Sequence, residues 1–310
     1  MANLLSLNDL KVSEINGILD RAEQLLEMGD AGWFEPRHIL VANLFFEPST
    51  RTRFSFETAE NRLGLQILNF SSAASSTQKG ESLYDTVRTM QAIGAKAVVI
   101  RHKHDEYYRE LMDGIGLTIL NAGDGAGNHP TQALLDLLTI RQEFFSFQRL
   151  TVAIIGDLRY SRVARSDAEV LARLGCRVLL SGPEEWQNQG LPGEYMAVDD
   201  AVETADVVIM LRIQHERHEK AMKMTKEEYH ASYGLTRERA ERMKPESIIM
   251  HPGPVNRGVE LDSDLVESAH SRYFKQISNG VVARMAAVEW ALDIKELAGA
   301  REQERIAEKM

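Results

Sequence analysis

Short apolar strands alternate with helical segments along nearly the whole chain, and this alternation limits the fold more than any other feature. Apolar runs at 39–46, 66–70, 96–101 and 117–121 read as strands, with helical spacing at about 51–64, 81–93, 105–113 and 130–143. A helix over 13–28, capped by Ser13 and carrying Ile15, Ile18, Leu19, Ala22, Leu25 and Leu26 on one face, precedes them. A second series places strands at 150–156, 176–181, 206–211 and 247–250, and helices at about 162–174, 225–243 and 280–298. Regular alternation of this kind predicts an α/β fold of parallel sheets with helices on both faces. Near Glu143–Arg149 a helical pattern stops and a new apolar strand begins. The chain has 310 residues, above the ~250–300 at which single cores stop growing. Two α/β domains of similar size, with a cleft between them, are therefore expected. Ligands in such sheets bind beyond the carboxyl ends of the strands.

Charge and cysteine usage remove several classes of function. Lys plus Arg number 36 against 46 Asp plus Glu, a net charge of −10. An acidic chain is poorly suited to tight nucleic-acid binding. It also lacks the basic amphipathic segment of a membrane-surface protein, and no apolar run approaches ~18 residues. The N-terminus, Met1-Ala-Asn-Leu-Leu, has neither the basic nor the apolar region of a secretory signal. A single cysteine, Cys176, excludes an internal disulfide and a Cys-based metal cluster. These features point to a cytoplasmic protein without nucleic-acid or membrane partners.

The most informative segment is Phe45-Phe-Glu-Pro-Ser-Thr-Arg-Thr-Arg-Phe-Ser-Phe-Glu57. A strand runs into Glu47-Pro48, where proline cannot continue a ladder and biases the preceding residue away from helix. Ser49 and Thr50 then stand at a helix start, whose free N–H groups and partial positive charge bind anions. Arg51 and Arg53 add full charge, and Ser49, Thr50 and Thr52 add hydroxyl donors. A lone Ser/Thr-Arg pair would be read as a helix cap beside a solvated arginine. Five such residues at one strand-to-helix junction favour a phosphate site.

Four further segments stand out: Asn121-Ala-Gly-Asp-Gly-Ala-Gly-Asn-His-Pro-Thr-Gln132, Gly156–Arg162, Leu211–Gln214 and Met250-His-Pro-Gly-Pro-Val-Asn-Arg257. With Ser49-Thr-Arg-Thr-Arg53 they resemble, in order and along nearly the whole chain, the motifs of the aspartate and ornithine carbamoyltransferases. The likeness is to the aspartate branch, bacterial type. The H-C-L-P and S-M-G motifs of the ornithine branch do not occur here.

The resemblance implies transfer of a carbamoyl group from carbamoyl phosphate to the α-amine of L-aspartate, an early step of de novo pyrimidine biosynthesis. The amine attacks a carbonyl carbon, so the site must supply donors at the carbonyl oxygen, cations on the phosphate and clamps for two carboxylates. It needs no metal, cofactor or protein nucleophile. By resemblance, His129 with Arg51 and Thr52 polarises the carbonyl oxygen, and the positive end of its helix favours the neutral ring. Gln132 and the backbone carbonyls of Pro252 and Gly253 bind the carbamoyl nitrogen. Ser49, Thr50, Arg51, Thr52 and Arg101 hold the phosphate; Arg101 ends the strand 96–101, where ligands bind. Arg162, Arg212 and Gln214 clamp the aspartate, for which planar bidentate guanidinium groups suit better than ammonium. Ser75 and Lys79, in the polar loop 71–80, reach a neighbouring subunit's site in the resembling family; Ser72 and Ser76 are close alternatives to Ser75. A homotrimer with shared sites follows from that carry-over, with room for separate regulatory or other pathway chains. The resemblance also divides the chain into a carbamoyl-phosphate-binding domain, 1–146, and an aspartate-binding domain, 147–310, whose C-terminal helix packs back on the first.

Some residues read as structural. His102 and His104 are taken as surface residues, Cys176 as a small buried hydrophobe, and 300–310 as a solvated helix end. Some family members carry a larger apolar residue at the position of Gly253. Two rival readings stand beside the main one: a related transferase for another amino acid, and a catalytically silent homologue serving as a scaffold.

Overall fold

The computed structural model describes residues 1–29, 34, 36–71, 79–214 and 224–294. An N-terminal helix α1 (Val12–Met28) leads into β1 (Leu40–Phe45), α2 (Thr50–Arg62), β2 (Gln66–Ser71), α3 (Leu83–Ile93), β3 (Ala97–His102), β4 (Thr118–Asp124) and α4 (Pro130–Phe144). There follow β5 (Thr151–Ile155), α5 (Arg162–Arg173), β6 (Arg177–Ser181), β7 (Glu194–Tyr195), α6 (Val198–Thr204), β8 (Val207–Met210), α7 (Lys226–Tyr233), α8 (Arg237–Ala240), β9 (Ile248–Met250) and α9 (Tyr273–Leu292).

The strands form two parallel sheets, in the orders β2-β1-β3-β4 and β7-β6-β5-β8-β9. In each, the chain winds to one side of its first strand and then returns to the other. The reversals fall between β1 and β3 and between β5 and β8. At such a switch point the loops after neighbouring strands diverge and leave a crevice for a ligand.

Both faces of each sheet are apolar, as parallel strands buried on both sides require. In the first sheet Val41 and Val99 face one way; Ala42, Val98 and Ile100 face the other. The Val41 face belongs to a core that continues through α1, α4, α5 and α9 to Val152, Ile154, Val207 and Ile209 of the second sheet. α4 and α5 pack together across the two domains, and α9 lies against α1, α2 and α4. The cleft therefore rests on a shared hydrophobic floor.

Four features depart from the sequence reading. Ser13, read as the cap of the first helix, lies inside α1, whose N-cap is Lys11. The stretch 105–113 contains a 3₁₀ helix over Tyr107–Leu111 in place of an α-helix. The helix expected over 225–243 divides at Gly234 into α7 and α8, each with a threonine N-cap, Thr225 and Thr236. The last helix begins at Tyr273, not near 280; 295–310 lie outside the described residues. Ser278, Asn279 and Gly280 weaken the local helical signal, but tertiary bonds override it. Asn279 Nδ2 donates to Thr139 Oγ1 at 2.9 Å and Gln276 Nε2 to Asp136 Oδ1 at 2.6 Å.

Buried polar groups are also placed by the fold. Glu60 on α2 accepts from Asn43 Nδ2 of β1 at 2.6 Å, and burial pushes its pKa up to about 8. Its carboxyl is therefore largely protonated at neutral pH. Cys176 is buried, donates to the Phe147 carbonyl at 3.2 Å, and has its thiol pushed up to about 12 by burial, so it packs rather than reacts.

Candidate active site

One cavity of about 470 Å³ opens where the two switch points face each other. Its walls bring together Ser49, Thr50, Arg51, Thr52, Arg101, His129 and Gln132 with Arg162, Arg212, Gln214, Pro252 and Gly253. These come from at least five loops spread over two hundred residues of sequence.

The first-domain wall is built by α2. Ser49 occupies the N-cap with extended backbone, yet its hydroxyl makes no capping bond to the helix. The start of α2 thus presents backbone N–H groups, three hydroxyls and Arg51 to the cavity. Arg101, at the end of β3, approaches Thr52 Oγ1 at 3.5 Å and Glu47 Oε2 at 3.4 Å.

His129 is the N-cap residue of α4, and Pro130 takes the first helical position, where its missing N–H is harmless. The His129 backbone N–H donates to Ser166 Oγ of α5 at 2.8 Å, which ties the helix start to the second domain. One turn on, Gln132 Nε2 donates to both oxygens of Asp136, at 3.2 and 3.1 Å. The amide is thereby oriented with its nitrogen toward Asp136 and its oxygen free to face the cavity. Asp136 also bonds Asp167 of α5. Burial raises both carboxyls, Asp136 to about 6, and the neighbouring Asp136 carboxyl raises Asp167 further.

Second-domain donors follow β5 and β8. Arg162 opens α5 and is buried, contrary to the exposed position an ordinary helix-start arginine would take. Its Nη1 and Nη2 each lie 3.1 Å from Glu47 Oε2, and Nη1 donates to the Gly125 carbonyl at 3.2 Å. Glu47 thus links Arg101 of one domain to Arg162 of the other. Gly123 is needed beneath this pair: a Cβ there would lie 3.0 Å from the Arg162 guanidinium carbon. Arg212 follows β8, and its Nη2 donates to Gln214 Oε1 at 3.0 Å. The Gln214 backbone N–H is fixed by buried Asp157 at 3.1 Å.

Gly253 has a left-handed backbone, φ +70°, and a Cβ there would fall 2.7 Å from Arg51 Nε. The glycine at this position therefore lets the loop close against Arg51. Lys79 is exposed and does not line its own chain's cavity. Ser75 falls outside the described residues. His102 differs from its surface reading: it is half-buried against Phe46 and Tyr107, and burial lowers its pKa to about 4; His104 is exposed.

The sequence reading gave no role at the site to Glu47, Gln276 or Arg284; Glu47 entered only as the residue before Pro48, and the other two lie outside the motifs. Arg284 is buried on α9 over the Phe56 ring, 5.2 Å away, and lines the cavity; burial pushes its pKa down to about 9. No cluster of three or more His, Cys, Asp or Glu side chains suited to a metal ion occurs among the described residues. None of the described helices is long and apolar enough to cross a membrane.

Known proteins share this architecture. Three structures of aspartate transcarbamoylase from Trypanosoma cruzi align over 94% of this chain and 95% of theirs. The complexes with carbamoyl phosphate and with N-(phosphonacetyl)-L-aspartic acid are each 32% identical, with a TM-score of 0.86. The ligand-free form is 30% identical, with a TM-score of 0.79. Residues 2–142 match the carbamoyl-P binding domain of the aspartate/ornithine carbamoyltransferases, and residues 148–291 match their Asp/Orn binding domain. With both domains matched in order and the whole fold shared, the chain belongs to the aspartate/ornithine carbamoyltransferase family.

Proposed function

We propose that the protein transfers the carbamoyl group of carbamoyl phosphate to the α-amine of L-aspartate, giving N-carbamoyl-L-aspartate and phosphate. One observation carries this reading: a helix start with Arg51 and Arg101 faces Arg162, Arg212 and Gln214 across one cavity. An anionic phosphate and a dicarboxylate are the ligands that such opposed cationic walls complement.

In this reading the phosphate sits at the start of α2 with Ser49, Thr50, Thr52 and Arg101. Arg51, Thr52 and His129 donate to the carbonyl oxygen, whose charge grows as the amine attacks. Gln132 and the Pro252 and Gly253 carbonyls accept the carbamoyl N–H groups. Arg162, Arg212 and Gln214 hold the two carboxylates. The new C–N bond forms, the amine loses a proton, and the C–O bond to phosphate breaks. We place the boundary between a carbamoyl-phosphate-binding and an aspartate-binding domain after residue 146. With the activity go an early position in pyrimidine biosynthesis, a cytoplasmic location, and a homotrimer in which Lys79 and Ser75 serve a neighbouring site. The exposed position of Lys79, away from its own cavity, supports that sharing.

Acceptor choice tests the assignment. With carbamoyl phosphate, purified protein should carbamoylate L-aspartate, release one phosphate per product, and be inhibited by succinate competing with aspartate. Ornithine should be a poor acceptor, because its ammonium would face Arg212, and like charges in a dry site cost several kcal/mol. Equal rates with ornithine would reject the two-arginine clamp, and no transfer to any amino acid would revive the silent-scaffold reading.

A further inference from the structure

We propose that His251 is a positioning residue: braced by Glu260, its Nδ1 holds the Pro252–Gly253 peptide so that the loop presents hydrogen-bond acceptors to the carbamoyl nitrogen. The proposal rests on the carbamoyl-transfer reading and names a pair of buried residues that no motif role covers.

His251 directly follows β9 and is 1% exposed. The Gly253 backbone N–H donates to its Nδ1 at 2.8 Å. A ring nitrogen that accepts carries no proton, so the neutral ring is protonated on Nε2. Nε2 lies 3.2 Å from Glu260 Oε1, and the same oxygen accepts from the Asn256 backbone N–H at 2.6 Å. Glu260 is fully buried. One carboxylate therefore fixes both the ring tautomer and the far side of the loop.

The consequence at the cavity follows from peptide geometry. The Pro252–Gly253 bond is trans, so its N–H and C=O point in opposite directions. With the N–H turned to the His251 ring, the Pro252 carbonyl is turned away from it, on a loop that lines the cavity. Pro252 and Pro254 have no N–H, so Gly253 carries the one amide donor of the Pro-Gly-Pro run, and His251 occupies it. What the run can offer a ligand is acceptors alone. Such a wall favours an acyl phosphate bearing –NH2 over one bearing –CH3. A proton on Nδ1 would face the Gly253 N–H and break this arrangement. Burial chiefly, with the nearby charges of Arg51 and Arg212, lowers the His251 pKa against the opposing pull of Glu260, and keeps the ring neutral.

The test compares carbamoyl phosphate with acetyl phosphate, with aspartate as acceptor, in two variants chosen to separate the ring nitrogens. His251→Asn keeps an oxygen near the Nδ1 position and loses the contact with Glu260. His251→Gln keeps a polar group near Nε2 and loses the acceptor for Gly253. The Gln variant should lose roughly ten- to a hundredfold in kcat/KM for carbamoyl phosphate. Its kcat/KM for acetyl phosphate and its inhibition by inorganic phosphate should stay near wild type. The Asn variant should keep most of the preference for carbamoyl phosphate. A structural role through Glu260 predicts the reverse order of the two variants, and that order, or equal loss with both acyl phosphates, would overturn the proposal. Nitrogen NMR of the unmodified protein gives a check free of folding defects. It should show a bare Nδ1 on His251, and a protonated Nδ1 there would overturn the proposal as well. A wild-type protein that uses neither acyl phosphate would reject the parent reading itself.

Discussion

An Arg51→Ala protein should fold as the wild type does and turn over at least about a hundredfold more slowly. Arg51 is the second residue of α2, half-buried at the cavity wall. Glu47 pairs with Arg101 and Arg162, and no ion pair with a described residue engages Arg51. Truncating it therefore leaves no carboxylate orphaned and removes no core packing. Loss of one charge-assisted donor to a developing oxyanion costs ~2.7–4 kcal/mol in the transition state, about a hundred- to a thousandfold in rate. Its place beside the loop of Gly253 makes a role in binding as well as in polarisation expected, so KM for carbamoyl phosphate should rise too. The checks are steady-state kinetics and a thermal melt on the same sample. Near-native turnover in a folded variant would remove Arg51 from the mechanism.

A larger effect is expected from mixing two inactive proteins. If the chain assembles as the proposed homotrimer and every site takes Arg162 from one chain and Lys79 from the next, Lys79→Ala and Arg162→Ala proteins should each be nearly inactive. In a ring of one Lys79→Ala chain and two Arg162→Ala chains, the first chain supplies an intact Arg162. Its neighbour supplies an intact Lys79, so one site is native. The next site lacks Arg162, and the last lacks both groups. The opposite mixture also yields one native site. Dissociation and reassembly should thus restore roughly a third of wild-type activity per mixed trimer, as head-to-tail interfaces require. If Lys79 served its own chain, each hybrid site would keep one defect, and mixing would restore nothing.

The parts of the site that sequence makes legible are those set by local chemistry. Ser49 to Arg53, His129 with Pro130, and the arginines following β5 and β8 each stand at a strand end or a helix start, and their residue types announce the job. Glu47, Gln276, Arg284 and the His251–Glu260 pair do not, because their partners lie in other elements. Glu47 meets Arg162 across 115 positions, and Gln276 meets Asp136 across 140. The same division holds for the fold. Long apolar strands such as 150–156 are read directly from sequence, whereas the two-residue β7 is too short to show periodicity and exists because β6 offers it a paired edge. The break at Gly234 carries a local signal in Thr236, whose hydroxyl caps α8 just beyond it.

Carbamoyl transfer requires that the phosphate wall and the carboxylate wall act as one site. Calorimetric titration with N-(phosphonacetyl)-L-aspartate, set beside phosphonoacetate and succinate alone, tests this most directly. The joined molecule should bind one per chain and at least about a hundredfold more tightly than the better of its halves, since each half pre-positions the other. Binding no tighter than phosphonoacetate, with succinate unable to compete, would mean that the two walls do not act on one ligand.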